Sequence, residues 1–282
     1  MENKINPERL EILNRIKDYE SRGFFDSDVE NDPPAKVLEA DQIDYLRKSL
    51  GAKIKSHMVN KKADKLIEEM VKGNQIYIDK VIGAENIKSI TGAAFITSNH
   101  FHIFENMALY KVFKDNQPCK HKFYRVIREG NYTSPPKGFD MFFKHANTLP
   151  LSSSTNTMKK LVQALEVLSK KNNYILMYPE QYMWWNFKKP RPFKSGVYKF
   201  AHKLNVPIIP CFITMEDSDI VDGDGLFVQK YTIHIEEPIY PDLKMGIKED
   251  VERMKSLNFD ICKNIYEKTY NKKLKYTFEK KW

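Results

Sequence analysis

His100 and Glu105 stand five positions apart in the stretch AAFITSNHFHIFENMALY, which covers residues 93–110. A histidine held by a carboxylate is a general base: the acid accepts the proton-bearing ring nitrogen, and the other nitrogen is free to take a proton from a hydroxyl. The spacing limits how the two can meet. On one continuous helix five residues turn through roughly 500°, and the side chains would diverge. They meet if the apolar run 93–96 is a strand, Thr97-Ser98-Asn99 turns the chain, His100 lies in the loop and Glu105 sits on the first turn of the next helix. A helix N-terminus also favours a carboxylate at that place.

Other segments have to position this pair. FYRVIREG, residues 123–130, reads as a strand that delivers Arg128-Glu129. Leu149-Pro150-Leu151-Ser152-Ser153 precedes an apolar series Met158, Leu161, Leu165, Leu168 at helical spacing. The serines there either cap that helix or offer hydroxyls to a ligand, and capping is the default. The run Tyr174-Ile175-Leu176-Met177-Tyr178 is a buried-strand pattern ending in Pro179-Glu180. After an insertion, Phe193-Lys194-Ser195-Gly196 opens a helix whose Val197, Phe200, Ala201 and Leu204 share a face. Glycine at a helix N-terminus lets an anion or developing oxyanion approach the free N–H groups, and it also serves simply to begin a helix tightly. Val206-Pro207-Ile208-Ile209-Pro210 is an apolar strand bracketed by prolines.

In order and context, these segments resemble the four sequence blocks of the glycerolipid and lysophospholipid acyltransferase family, over roughly residues 80–240. Asn99-His100-x4-Glu105 corresponds to the first block, with glutamate where aspartate is usual, as in the related lipid A acyltransferases. Residues 142–154 correspond to the second block but lack its arginine. The third block keeps Pro179, Glu180, Lys194 and Gly196 and has Gln181, Tyr182 and Met183 in place of Gly-Thr-Arg. The resemblance implies catalysis by His100 and Glu105, with Asn99, Arg128, Glu180, Lys194 and Gly196 around the substrates. Arg128 would face a phosphate, although an exposed cation beside acidic residues is by default a surface ion pair. It also implies acyl transfer from acyl-CoA or an acyl carrier protein, as co-substrate and with no other cofactor or metal, to a hydroxyl of a lysophospholipid such as 1-acylglycerol-3-phosphate in phospholipid biosynthesis. With both family arginines changed, another lipid or a cell-envelope glycan is the alternative acceptor.

Composition bounds the partners. The 282 residues carry a formal net charge of +9, which attracts anionic lipid, an acidic carrier protein or nucleic acid. The insertion at 182–192 places Trp184 and Trp185 beside Lys188, Lys189 and Arg191, a mix suited to an anionic membrane surface or, alternatively, to a core role for the tryptophans. No nucleic-acid partner is assigned. Three scattered cysteines, Cys119, Cys211 and Cys262, fit a reducing compartment, and no uncharged apolar run reaches membrane-spanning length. The expected location is cytoplasmic, peripheral on the inner face of the cell membrane. A non-enzymatic basic membrane-surface binder is the competing reading of the same charge pattern. His100-x-His102 as a metal pair lacks further ligands in recognisable spacing.

Strands alternating with helices predict an α/β domain, a mixed β-sheet flanked by helices, over residues 81–282 with a C-terminal helix. Residues 1–80 predict a helical N-terminal extension. Its segments are a helix ending at Gly23, another after Asp41, and an amphipathic basic helix carrying Ile54, Met58, Leu66, Ile67 and Met70, which either contacts the membrane surface or packs on the main domain. Residues 216–225 predict a solvated acidic loop.

Overall fold

The computed structural model describes residues 5–117 and 121–277, so Cys119 lies outside the described residues. Among the described residues, seven strands form one sheet in the order β1-β7-β6-β2-β5-β3-β4. They are β1 (Tyr77–Ile82), β2 (Ala94–Thr97), β3 (Lys122–Ile127), β4 (Thr148–Pro150), β5 (Asn173–Met177), β6 (Ile208–Val221) and β7 (Phe227–Ile235). β6, β2, β5, β3 and β4 run parallel; β7 returns antiparallel to β6, and β1 pairs parallel with β7. The sheet is therefore mixed. The boundary expected at residue 80 falls inside β1, whose partner is at the far end of the chain.

Helices cover both faces because the central strands are apolar on both. In β2, Phe95 points to one face and Ala94 and Ile96 to the other, and all are buried. The first face packs against α7 (Thr155–Leu168), α8 (Gly196–Leu204) and α9 (Ile247–Tyr270). The second packs against α4 (Glu105–Asn116) and residues of α2 (Leu50–Lys72) and of the short α3 (Glu85–Lys88). Two further short helices, α5 (Glu129–Thr133) and α6 (Asp140–His145), join β3 to β4.

The N-terminal segment begins with α1 (Pro7–Arg22), which has every sign of a well-marked helix. Asn6 caps its first turn, Pro7 sets the entering φ, and Gly23 closes it at φ 71°, a left-handed conformation that suits glycine. A third cluster buries Ile12 and Ile16 of α1 with Val29, Trp184 and Trp185. Between Asp41 and α2 there is no further α-helix, and Asp41 itself lies in a single 3-10 turn, Ala40–Gln42. The Asp44 carboxylate accepts the Leu46 and Lys48 N–H groups, a local arrangement that competes with helix, and Ser49 then caps α2 through the Ala52 N–H.

The acidic loop expected at 216–225 is largely strand. β6 continues to Val221 and pairs with β7 as far as Phe227, and Gln229 across the hairpin donates to the Asp217 carboxylate. Acidic side chains are compatible with strand here because Glu216, Asp217 and Asp219 are exposed to solvent.

Candidate active site

His100 sits three residues beyond the end of β2, in a loop fastened by its main chain. Its N–H donates to Glu180 Oε2 at 3.1 Å and its carbonyl accepts the Trp184 N–H at 3.0 Å. The next carbonyl, of Phe101, accepts the Asn186 N–H at 2.9 Å. Just before the histidine, buried Asn99 uses both ends of its amide on β6: Nδ2 donates to the Ile213 carbonyl at 3.0 Å and Oδ1 accepts the Ile213 N–H at 2.9 Å. The loop is thus pinned to β6 on one side and to the Glu180 turn on the other.

Glu105 opens α4 and is completely buried. Its Oε1 accepts from His100 Nδ1 at 2.6 Å and its Oε2 accepts the His102 N–H at 2.9 Å. With the carboxylate accepting on both oxygens, Nδ1 carries the ring proton and Nε2 carries the lone pair. Among the described residues Nε2 has no partner, and the histidine side chain is 22% exposed. Tyr178 lies flat against the imidazole, ring centroids 3.9 Å apart and 8° from parallel. Its hydroxyl is buried beside Glu105 without a well-formed hydrogen bond, and burial, with the glutamate's charge, keeps it well above the usual phenol pKa, so it stays protonated. The dyad is therefore oriented along its length and across its face.

The other residues expected around the substrates divide. The Glu180 carboxylate is 3% exposed and fully engaged: Oε1 accepts the Arg191 N–H at 2.9 Å, and Oε2 accepts Arg191 Nη2 at 3.1 Å together with the His100 N–H. It holds the histidine loop and has no oxygen left for a substrate. Asn99 is likewise a brace, for the reason given above. Arg128 pairs with Asp28 at 3.0 Å and with Asp32, in the acidic segment ahead of α2. Lys194 pairs with Asp26. Ser152 and Ser153 are held by Glu129, whose carboxylate accepts both hydroxyls as well as the Leu38 N–H. Gly196 opens α8, and a Cβ there would meet no protein atom within 4 Å. Because the Lys194 N–H bonds the Pro179 carbonyl at 2.8 Å, α8 begins at the same edge of the sheet as the end of β5, on the face opposite α4.

The membrane-contact reading of the insertion is overturned at its centre. Trp184, Trp185 and Arg191 are 0%, 5% and 1% exposed. Trp184 stacks on Phe25 and donates Nε1–H to the Ser27 carbonyl at 3.0 Å, and the Arg9 guanidinium lies 3.3 Å above the Trp185 ring. Arg191 pairs with Glu180, and burial lowers its pKa against the pull of that carboxylate. Lys189 reaches Glu20 of α1 at 2.5 Å and Lys188 lies over the Tyr270 ring. The segment is the socket into which the N-terminal helix docks.

His102 packs, partly buried, against Trp185 and Phe104, and its Nδ1 accepts the Phe104 N–H at 3.1 Å. Burial, with Arg9 nearby, lowers its pKa to about 3, so it is neutral.

Two residues gain importance only in three dimensions. Tyr178 is one. The other is Arg125 of β3, on the Phe123 face of the strand. Its guanidinium lies 4.8 Å from the Tyr110 ring and 5.2 Å from the Phe123 ring, makes no hydrogen bond or ion pair among the described residues, and has a buried, unpartnered Nε. Burial lowers its pKa, with Tyr110, Tyr178 and Asp64 acting the other way. The sequence signal was a cation inside an apolar strand, FYRVI.

An oriented imidazole at a strand-to-helix turn, with its Nε2 unpartnered among the described residues, is suited to take a proton from a hydroxyl. The acyltransferase family model matches residues 79–214, which contain the dyad, Arg125, Tyr178 and Glu180. No curated protein sequence matches this chain significantly. Among solved structures, the crystal structure of the 1-acyl-sn-glycerophosphate (LPA) acyltransferase PlsC from Thermotoga maritima is similar, with a TM-score of 0.52 and 18% identity over 82% of this chain and 87% of that one. Residues 79–214 thus match an acyltransferase domain, and that match together with the shared fold supports an O-acyltransferase of the glycerolipid acyltransferase kind.

Proposed function

We propose that the protein transfers a fatty acyl group from a thioester donor, acyl-CoA or acyl carrier protein, to a hydroxyl of a lysophospholipid such as 1-acylglycerol-3-phosphate. The observation that carries this reading is the 2.6 Å contact between His100 Nδ1 and buried Glu105, which leaves Nε2 as the base. His100 takes the acceptor's hydroxyl proton as the oxygen attacks the thioester carbonyl. Glu105 stabilises the imidazolium. Backbone N–H groups opening α8 at Gly196 are the candidate donors to the tetrahedral oxyanion. Collapse breaks the carbon–sulfur bond, and the departing thiolate takes the proton back from His100. Both substrates are bound together, with no acyl-enzyme.

Unpaired Arg125, next to the Tyr178 that stacks on His100, supports an anionic acceptor in place of the family's missing second-block arginine. For Arg128 and Lys194, a part in binding would require release from Asp28, Asp32 and Asp26.

Membrane contact, in this reading, moves from the insertion to α2. Leu50, Ile54 and Met58 form an i, i+4, i+8 stripe that is 73%, 52% and 58% exposed, among exposed Lys53, Lys55, Lys61 and Lys62. An apolar stripe edged with lysines suits the interface of an anionic bilayer. Among the described residues no helix is long and apolar enough to cross a membrane.

The test follows thiol release from acyl-CoA and acyl carrier protein with lysophosphatidate, other lysophospholipids and a glycan extract, and identifies products by mass spectrometry. A new ester formed by the wild type and not by His100→Ala establishes the reaction and its acceptor. No ester with any acceptor, alongside equal binding of both proteins to anionic vesicles, would replace it with the membrane-binder reading.

A further inference from the structure

A cavity of about 440 Å³ lies beside the catalytic loop, between the C-terminal end of α2, the turn at His102 and Phe104, and the β6–β7 hairpin. Two of the residues that line it, Gln229 and Asn186, hold buried amide carbonyls without hydrogen-bond partners, Gln229 Oε1 and Asn186 Oδ1. The orientation of Gln229 is settled by chemistry: Nε2 donates to Asp217 Oδ1 and to the Phe227 carbonyl, each at 2.8 Å, and both of these only accept. The unpartnered atom is therefore the oxygen. Asn186 is tied to the catalytic loop through its N–H bond to Phe101. Buried acceptors left unpaired are costly, so an occupant that brings N–H or O–H donors is favoured there.

The remaining lining narrows the occupant. Phe104, Ile220 and Phe227 give apolar surface. No lysine or arginine lines the cavity, and Asp222 does, so a phosphate would find no cation there and one negative charge. A bare acyl chain would cover the walls and leave both carbonyls unpaired. An uncharged chain that alternates amide N–H groups with methylene and methyl segments meets both demands. We propose that this cavity receives the pantetheine arm of the thioester donor, with Gln229 and Asn186 accepting its amide N–H groups. The arm is common to acyl-CoA and acyl carrier protein, so the site would serve either donor. The inference rests on the acyl-transfer reading, to which it adds a donor subsite.

Gln229→Leu removes one acceptor, and Val221→Trp fills the mouth from an exposed position without removing a buried bond. Two-substrate kinetics with acyl-CoA and the acceptor found above should give a donor KM raised about three- to tenfold for Gln229→Leu, and raised for Val221→Trp too, with the acceptor KM unchanged. If Gln229→Leu does not fold, Val221→Trp carries the test alone. A raised acceptor KM with the donor KM unchanged would assign the cavity to the acceptor and overturn the proposal, and so would no change in either. Calorimetric titration with free pantetheine separates this inference from the reaction itself. Binding by the wild type that is weakened in the variants supports the subsite even if no ester is ever formed; binding equal in all, or absent in the wild type, overturns it.

Discussion

Glu180 accepts the backbone N–H of His100 at 3.1 Å across 80 residues of sequence, through the same oxygen that takes Arg191 Nη2. A buried ion pair is thereby turned into a support for the catalytic loop. Its two charges are 1% and 2% exposed at the side chain. Glu180→Gln should destabilise the fold by about 3 kcal/mol, because it leaves the Arg191 charge buried and unpaired. Glu180→Gln combined with Arg191→Met should recover most of that loss. Denaturant unfolding of the three proteins checks both; a double variant no more stable than the single one would mean that the pair matters for its hydrogen bonds rather than its charge.

Glu105→Gln keeps the shape of the dyad and removes its charge, so the imidazole is no longer held as the Nδ1–H tautomer. The expected loss in kcat is about 10²- to 10⁴-fold. Because histidine and glutamate act as a unit, His100→Ala/Glu105→Gln should be little worse than His100→Ala alone. Steady-state rates of the three variants decide it.

Arg125 predicts headgroup dependence. Arg125→Gln should raise the KM for a phosphate-bearing acceptor about tenfold, the scale of a charged hydrogen bond lost, and change the KM for an uncharged glycan acceptor little. Equal effects on both would make Arg125 a packing residue over Tyr110 and Phe123.

His102 gives a pH dependence of stability. Its folded pKa of about 3 lies below the ordinary 6.5, so between those values the unfolded chain binds a proton that the folded one does not. Its contribution is fully present above about pH 6.5 and declines as the pH falls toward 3. Glu129 and Asp250 add to this at the acid end: burial acts to raise both, but the hydrogen bonds they accept outweigh it, and their folded pKa values lie below the ordinary ones. Their contributions are lost as the pH falls below the ordinary values, 4.5 for Glu129 and 3.8 for Asp250. Melting temperatures from pH 7.5 to 4 should fall for the wild type and fall less steeply between 6.5 and 5 for His102→Phe.

Sequence and tertiary structure divided the information along a physical line. The dyad was legible because it is local: five residues, one strand end and one helix start fix where His100 and Glu105 can be relative to each other. The buried strands at 94–97 and 173–177 were legible for the same reason, since an apolar run short enough for a strand and bounded by turn residues needs no distant partner to be recognised. The fates of the charged and aromatic residues were not local. Trp184, Trp185 and Arg191 have the composition of a membrane interface, and that composition also suits a socket for a second element; α1 and the loop after it, more than 150 residues earlier, decided for the socket. For Arg128 the resemblance implied a phosphate and the residue type a surface ion pair; the partners of that pair, Asp28 and Asp32, are brought to it across 100 and 96 residues. Asn99 and Glu180 read as binding residues until Ile213 and Arg191 take their polar atoms. Residue type and spacing determined what chemistry the chain can perform. Which polar groups remain free to perform it was decided only by folding, because a hydrogen bond already made inside the protein is one that a substrate cannot share.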